Sequence, residues 1–274
     1  MNDTWSIDGP QTIDVDGVRM LKASIVKGRL DVIVHDERTV RVEVSEVVGA
    51  PLEMTLRGGT LEISHNKGGE GPLGFLARQV NLAVSGYREE AVISIALPRD
   101  VPVKASTVSG DGLVSGVAAT AELSTVSGSM MADETTGVLT VNTVSGEIIV
   151  RQHGGTLAAK SVSGEVTASG NLDHVRASTV SGDLSFDLQG SPQDLAVNSV
   201  SGNVTVRVPE QYGVDVAASS ATGSITVNDQ KFFGFSEKVK TRIGPEGRGL
   251  TVRSTTVSGT LAVFHRDTAG SQVN

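Results

Sequence analysis

"VNTVSGEIIV", residues 141–150, contains the tetrapeptide that decides the fold, TVSG at 143–146. TVSG or a close variant also stands at 107–110, 125–128, 161–164, 179–182, 199–202, 220–223 and 256–259. The glycines of these tetrapeptides are 18 residues apart over four successive steps, and the later steps are 20, 21 and 36. A period of this length is the sequence signature of stacked structural repeats.

The positions around each glycine carry apolar residues in a fixed pattern. Seven residues before the glycines stand Val103, Ala121, Leu139, Leu157, Val175, Leu195, Val216 and Val252. Two residues after them stand Gly112, Met130, Ile148, Val166, Leu184, Val204, Ile225 and Leu261. Four residues after them stand Val114, Ala132, Val150, Ala168, Phe186, Val206, Val227 and Val263. Apolar residues two apart predict β-strands with one buried face. The sequence therefore predicts an all-β fold, a single β-solenoid (β-helix or β-roll) of stacked coils of about 18 residues.

The tetrapeptide itself predicts a turn between two strands. Ser-Gly suits a turn because glycine adopts positive φ without steric cost. The first residue of the tetrapeptide and the valine differ in parity, so only one of them faces the interior. We expect the valine inside, with the hydroxyl groups bonded to the backbone of the turn.

The repeat pattern predicts one domain over residues 1–274. Its parts are irregular N-terminal coils over 1–102, regular TVSG coils over 103–264, and a tail over 265–274. Excursions interrupt the pattern at 66–79 and 228–249. The last glycine step is twice the unit, so a degenerate coil or an excursion lies between Gly223 and Gly259.

Composition narrows the functional class. The net charge of −8, with no dense Lys/Arg cluster, disfavours nucleic-acid binding. The chain has no cysteine, so it has neither disulfides nor thiolate metal sites. The stretch "MNDTWSIDGP" has no apolar signal-peptide region, and no apolar run is long enough to be a transmembrane segment. These features predict a cytoplasmic location.

The chain resembles the bacterial putative-adhesin family of β-strand-repeat proteins, a family of unknown function. The stretches that carry the likeness are "GRLDVIV" (28–34), "VISIALPRDVPVKASTVSGDG" (92–112), the TVSG array and "GPEGRGLTVRSTTVSGTLAVF" (244–264). Relatives include LiaG-like proteins and the Toastrack type of solenoid. The resemblance implies a β-solenoid linked to bacterial cell-envelope stress, near membrane sensors.

No motif in the sequence predicts catalysis. Glu147, Glu165 and Asp183 follow successive glycines and would stack one coil apart, where carboxylates could hold a divalent cation. A solvated outer edge of the turn is the favoured interpretation. The five histidines share no metal-ligand spacing and are expected at the surface or in turns, and the repeated serines lie in no nucleophile elbow. We therefore predict no catalytic, cofactor-binding or metal-binding residues, and no enzyme.

The aromatic residues point to a surface for partners. Four of the six phenylalanines lie in the two excursions: Phe75, Phe232, Phe233 and Phe235. They either cap an open end of the core or form a partner or membrane-surface patch. The predicted function is a non-enzymatic scaffold or protein-interaction module. Its partner would be a membrane-associated envelope-stress protein or another copy of the chain. The alternative is a carbohydrate-binding or carbohydrate-active β-helix protein.

Overall fold

The structure is a computed structural model, and it describes residues 2–65, 89–233, 238–247 and 249–266. Within these residues all regular structure is β, which confirms the all-β prediction. The strands of the first half are β1 (Asn2–Ile7), β2 (Gln11–Val15), β3 (Met20–Ile25), β4 (Lys27–His35), β5 (Val40–Val48), β6 (Leu52–Arg57), β7 (Thr60–Ser64), β8 (Glu90–Pro98), β9 (Val103–Thr107), β10 (Asp111–Ser115), β11 (Ala121–Thr125) and β12 (Ser129–Asp133). Those of the second half are β13 (Thr136–Thr143), β14 (Glu147–Ser161), β15 (Glu165–Thr179), β16 (Leu184–Leu188), β17 (Asp194–Ser199), β18 (Val204–Val208), β19 (Gly213–Ser220), β20 (Ser224–Val227), β21 (Gln230–Phe233), β22 (Lys238–Ile243), β23 (Gly249–Thr256) and β24 (Leu261–His265).

The chain forms two compact units, Met1–Met131 and Ala132–Asn274, and each is described by itself. The extension of one solenoid domain over 1–274 stays a prediction. In both units the basic element is a rung, which consists of a strand, a tight turn and a second strand.

Parallel pairing between rungs holds the second unit together. Leu139 of β13 lies opposite Leu157 of β14, which lies opposite Val175 of β15, so neighbouring rungs are offset by 18 residues. The predicted apolar columns are buried on the inner faces of these strands, and Phe186 in these columns is fully buried. The β-solenoid prediction is confirmed.

The C-terminal rung of the second unit lies out of chain order. β23 pairs in parallel with β17 on one side and with β19 on the other, through Leu195↔Val252 and Val216↔Val252. β24 pairs in the same way with β18 and β20. The rung β23–β24 is therefore inserted between the rungs β17–β18 and β19–β20. The long step between Gly223 and Gly259 is an excursion that brings the chain back to this position.

The excursion covers the last rung of the second unit with antiparallel strands. β21 runs antiparallel to β20, and β22 runs antiparallel to β19. β22 presents Lys238, Lys240 and Arg242 at exposed positions. Lysine on an edge strand discourages pairing with other chains, so this strand closes the stack.

The first unit contains an insertion of the same kind. β3 pairs in parallel with both β7 and β9, and β4 pairs with both β8 and β10. The rung β3–β4 from the start of the chain thus lies between rungs that follow it in sequence. Antiparallel strands cover the outer side of the rung β7–β8: β6 lies on β7, β1 on β6, β5 on β8 and β2 on β5.

The glycine of the tetrapeptide is required by close stacking rather than by positive φ. None of the eight turn glycines, all within the described residues, has a positive φ. A Cβ added to Gly182 would lie 2.0 Å from the carbonyl oxygen of Gly164, and one added to Gly202 would lie 2.0 Å from that of Gly182. The prediction of a left-handed turn glycine is wrong, because these turns bring the backbones of neighbouring rungs into direct contact.

Candidate interaction surface

The first residue of each tetrapeptide points into the core. Thr143, Thr179 and Ser199 are buried, and each donates its hydroxyl to the carbonyl oxygen of the glycine three residues later, at 2.9, 2.9 and 2.8 Å. At Thr256 the hydroxyl accepts a hydrogen bond from the backbone N–H of Gly259, at 3.0 Å. The predicted role of the hydroxyls in satisfying the turn backbone is confirmed.

The valine of the tetrapeptide points outward, so the expectation that it faces the core is wrong. A buried hydroxyl is needed to reach the glycine carbonyl, and the side chain that follows in extended backbone then faces the opposite side. Val162, Val180, Val200 and Val257 are between 46 and 51% exposed. These four residues are called the valine ridge.

The backbone under the valine ridge is bonded from rung to rung. The N–H groups of Ser181, Ser201 and Ser258 donate to the carbonyl oxygens of Val162, Val180 and Val200, each at 2.8 Å. The ridge therefore follows the spatial order 162, 180, 200, 257, with a spacing of about 4.8 Å. Since hydrogen bonds already fix this backbone, binding to the ridge would cost little conformational entropy.

The exposed serines beside the ridge are occupied by structural hydrogen bonds. The hydroxyls of Ser163, Ser201 and Ser258 donate to the carbonyl oxygens of Val144, Val180 and Val200, at 3.1, 3.2 and 3.3 Å. A serine nucleophile needs a base that accepts its proton. Here a backbone carbonyl accepts that proton, so these serines are suited to a structural role.

The three carboxylates singled out in the sequence lie on the same flank. Glu147 is in register with Glu165, and the N–H of Val166 donates to the carbonyl of Asp183, which places the three one rung apart. All three are exposed, and Asp183 Oδ1 accepts a hydrogen bond from the N–H of Asn203 at 2.9 Å. Among the ion pairs of the described residues, none involves them. They form an acidic column beside the valine ridge, separated from it by the serines and the buried glycines.

Two histidines occupy positions that the sequence did not predict. His153 is buried within β14, so its expected surface or turn location is wrong, and His65 is buried in the bend after β7. His153 Nδ1 lies 3.0 Å from Thr135 Oγ1, and Nε2 lies 3.2 Å from the carbonyl oxygen of Thr156. Burial lowers the pKa of His153 from its ordinary value of 6.5. Within the described residues no three His, Asp or Glu side chains form a group that could hold a metal ion.

The structure places only part of the predicted phenylalanine surface. Phe75 and Phe235 lie outside the described residues. Phe233 belongs to β21, and Phe232, half-buried in the same strand, pairs with Ile225 of β20. The partner role of the four phenylalanines stays a prediction. The valines of the ridge, which the sequence analysis assigned to the core, are exposed apolar residues of the second unit.

The rungs, turns and inserted strands define the class of this protein as a β-solenoid repeat protein. The family scan gives the same result at the level of sequence: Toastrack, DUF4097, matches residues 24–263. The chain belongs to this family, whose function is unknown. Among curated proteins, none matches it.

Solved structures are similar to this chain at low sequence identity. One from Parabacteroides distasonis, described as a "putative lipid binding protein", is 16% identical with a TM-score of 0.52, and the match covers 94% of this chain and 97% of that one. Another from Parabacteroides merdae, described as a "putative adhesin", is 11% identical with a TM-score of 0.45, covering 97% and 96%. The likeness to the Parabacteroides distasonis structure concerns the fold alone. In the described residues there is no helix with the length and apolar character needed to span a bilayer.

Proposed function

We propose that the protein is a non-enzymatic interaction scaffold that binds a protein partner along the valine ridge. The observation that carries this proposal is the column of four half-exposed valines on a backbone fixed by hydrogen bonds. Soluble proteins rarely expose contiguous apolar surface without a binding role. The serine hydroxyls beside the ridge already donate to backbone carbonyl oxygens, which supports a function without catalysis.

The acidic column defines the chemistry of the partner. An apolar stripe of the partner would cover the valines, while basic side chains beside that stripe would face Glu147, Glu165 and Asp183. Complementary charge steers association and fixes register. A second copy docked through the same face would bring like-charged carboxylates together, which favours a different protein over self-association.

The test compares the valine ridge with an equally exposed valine elsewhere in the unit. Tagged wild-type protein and the variants V180S/V200S and V138S are each used to capture partners from native membranes. V138S is the control, because Val138 is 47% exposed and lies in β13, outside the ridge. We expect V180S/V200S to lose a partner that wild type and V138S retain, with unchanged thermal stability. Recovery of the same proteins by all three would contradict the proposal.

Charge reversal tests the acidic column independently. E165K/D183K should weaken the captured complex, and raising the salt concentration should weaken the wild-type complex, because exposed charges are screened beyond about 10 Å at 0.1 M salt. A complex insensitive to both changes would show that the acidic column has no part in binding.

A lipid surface is a second candidate, supported by the basic residues of β21 and β22. Lys231, Lys238 and Lys240 are exposed there, close in sequence to the half-buried Phe232, and cationic side chains are attracted to anionic lipid. The structural neighbour described as lipid binding makes this worth testing. Flotation with vesicles containing phosphatidylserine should recover wild type but neither K238E/K240E nor F232S. Absence of wild type from the vesicle fraction would exclude this candidate.

The link to bacterial envelope stress and the cytoplasmic location belong to the same proposal. The family resemblance supports the link to envelope stress. A partner captured through the valine ridge should be an envelope-stress membrane protein, and fractionation of cells should place the protein on the cytoplasmic side. A captured partner unrelated to the envelope would contradict the link.

A further inference from the structure

The only tryptophan of the chain lines a cleft in the first unit, far in sequence from the valine ridge. Trp5 lies in β1, which pairs with β6, and its side chain is half-buried opposite Met54. The cleft has a volume of about 570 Å³ and is lined by residues of β1, β2, the following loop and the β6–β7 turn. Leu56 and Val15 complete its apolar lining.

The polar lining of the cleft contains both acceptors and a donor. Asp14 is bonded to Arg41 at 2.8 Å, and Arg19 donates to the carbonyl oxygen of Gly58 at 2.8 Å. Asp3 and Asp16 belong to none of the ion pairs among the described residues, so their carboxylates are available as acceptors. Arg19 has further N–H groups beyond the one that holds Gly58.

The backbone at the rim of the cleft faces open space. A Cβ added to Gly17 or Gly58 would meet nothing within 4 Å. The rim of the cleft is therefore open to solvent at these two glycines, whereas the Arg19 side chain lies over Gly59. Ligand sites commonly combine an apolar or aromatic lining with a few polar groups that fix orientation.

This set of groups fits one class of ligand best. A sugar ring has an apolar C–H face that can lie on an indole, and its hydroxyls both donate and accept hydrogen bonds. The arginines Arg19 and Arg41 offset most of the charge of the three aspartates, which favours a neutral ligand over an organic cation. We propose that the Trp5 cleft is a carbohydrate-binding site, with Asp3 and Asp16 as acceptors and Arg19 as donor. This proposal is independent of the valine ridge and its partner.

Intrinsic fluorescence gives a direct test, because Trp5 is the sole tryptophan reporter. The full chain is titrated with β-1,4-linked tetramers of glucose and of N-acetylglucosamine, and separately with tetramethylammonium chloride. We expect a saturable change in emission with at least one oligosaccharide. Lack of saturation with both oligosaccharides, or saturation only with tetramethylammonium, would overturn the proposal.

Calorimetry with variants distinguishes the cleft from other surfaces. D16N removes the charged acceptor of a sugar hydroxyl, so we expect it to weaken sugar binding about tenfold or more. W5A removes the indole and should abolish sugar binding. The matched control is D8N, because Asp8 is exposed and outside the cleft lining. Thermal melting establishes that each variant is folded. Equal affinity in wild type, D16N and folded W5A would place the sugar elsewhere and overturn the proposal.

Discussion

Gly182 and Gly164 are in direct backbone contact: a Cβ on Gly182 would lie 2.0 Å from the carbonyl oxygen of Gly164. No alanine fits at that distance without separating the two rungs. We expect Gly182→Ala to lower the free energy of unfolding by about 3 kcal/mol or more. The measurement is urea unfolding followed by circular dichroism.

The control for this change is Gly249→Ala in the same unit. A Cβ at Gly249 would find its nearest neighbour, the carbonyl oxygen of Gly213, at 3.6 Å, which is ordinary contact. That variant should differ from wild type by no more than about 1 kcal/mol. Equal stability of the two variants would contradict the stacked glycine column.

Ser254 provides a prediction of increased stability. Its hydroxyl is buried in β23 without a hydrogen-bond partner, in register with Val197 on one side and Ala218 on the other. An unsatisfied buried hydroxyl costs about 1–3 kcal/mol, so Ser254→Ala should raise the free energy of unfolding by about 1 kcal/mol.

The matched change at Ser199 should act in the opposite direction. Its hydroxyl donates to the carbonyl oxygen of Gly202 at 2.8 Å. Ser199→Ala therefore removes an existing hydrogen bond, and the Gly202 carbonyl loses this donor. We expect a loss of about 1 kcal/mol. Thermal and urea unfolding of both variants measure the difference, and the same sign for both would contradict the assignment of Ser254 as unpartnered.

The buried ring of His153 predicts a loss of stability in acid. Burial lowers the pKa of His153 in the folded state below 6.5, so well above pH 6.5 the ring is neutral in both states and carries no penalty. Below pH 6.5 the unfolded chain binds a proton that the folded chain does not, and the free energy of unfolding falls by up to about 1.4 kcal/mol per pH unit.

The pH dependence of unfolding between pH 7 and 5 measures this effect. His153→Gln should have a flatter profile than wild type, whatever its absolute stability. Val138→Ser, a change at an exposed residue that does not titrate, should keep the wild-type profile. A variant at His153 with the wild-type profile would show that this ring does not contribute to the acid sensitivity.

The repeat spacing was sufficient to predict the β-solenoid and the buried columns, because residues of one column must share size and polarity when they touch. The outward direction of the valine side chain could also have been predicted from the alternation of inward and outward positions along the strand. Leu157, Ala159 and Ser161 alternate along one face of β14, so Ser161 continues the buried face and Val162 must leave it. The preference for a buried valine over a buried hydroxyl obscured that signal.

The insertion of the C-terminal rung could not be predicted from local pattern. Thr256 occupies the same place in its tetrapeptide as Ser199 and Ser220, and each rung offers the same backbone groups to its neighbours. The sequence therefore does not indicate which rung pairs with which. The Trp5 cleft was not predicted either, because its lining comes from strands and turns up to 56 residues apart, Asp3 to Gly59, in the irregular coils.

Cysteine cross-linking across the valine ridge tests the stacking order most directly, since the chain has no cysteine of its own. The N–H of Val257 donates to the carbonyl of Ser199 and that of Ala221 to the carbonyl of Thr256, so residues 200, 257 and 221 lie on successive rungs. A disulfide requires Cα atoms within about 7 Å, which adjacent rungs satisfy and alternate rungs do not. We expect V200C/V257C and A221C/V257C to form disulfides on mild oxidation, while V200C/A221C stays reduced. Rapid closure of V200C/A221C with no closure of V200C/V257C would mean that the rungs stack in chain order.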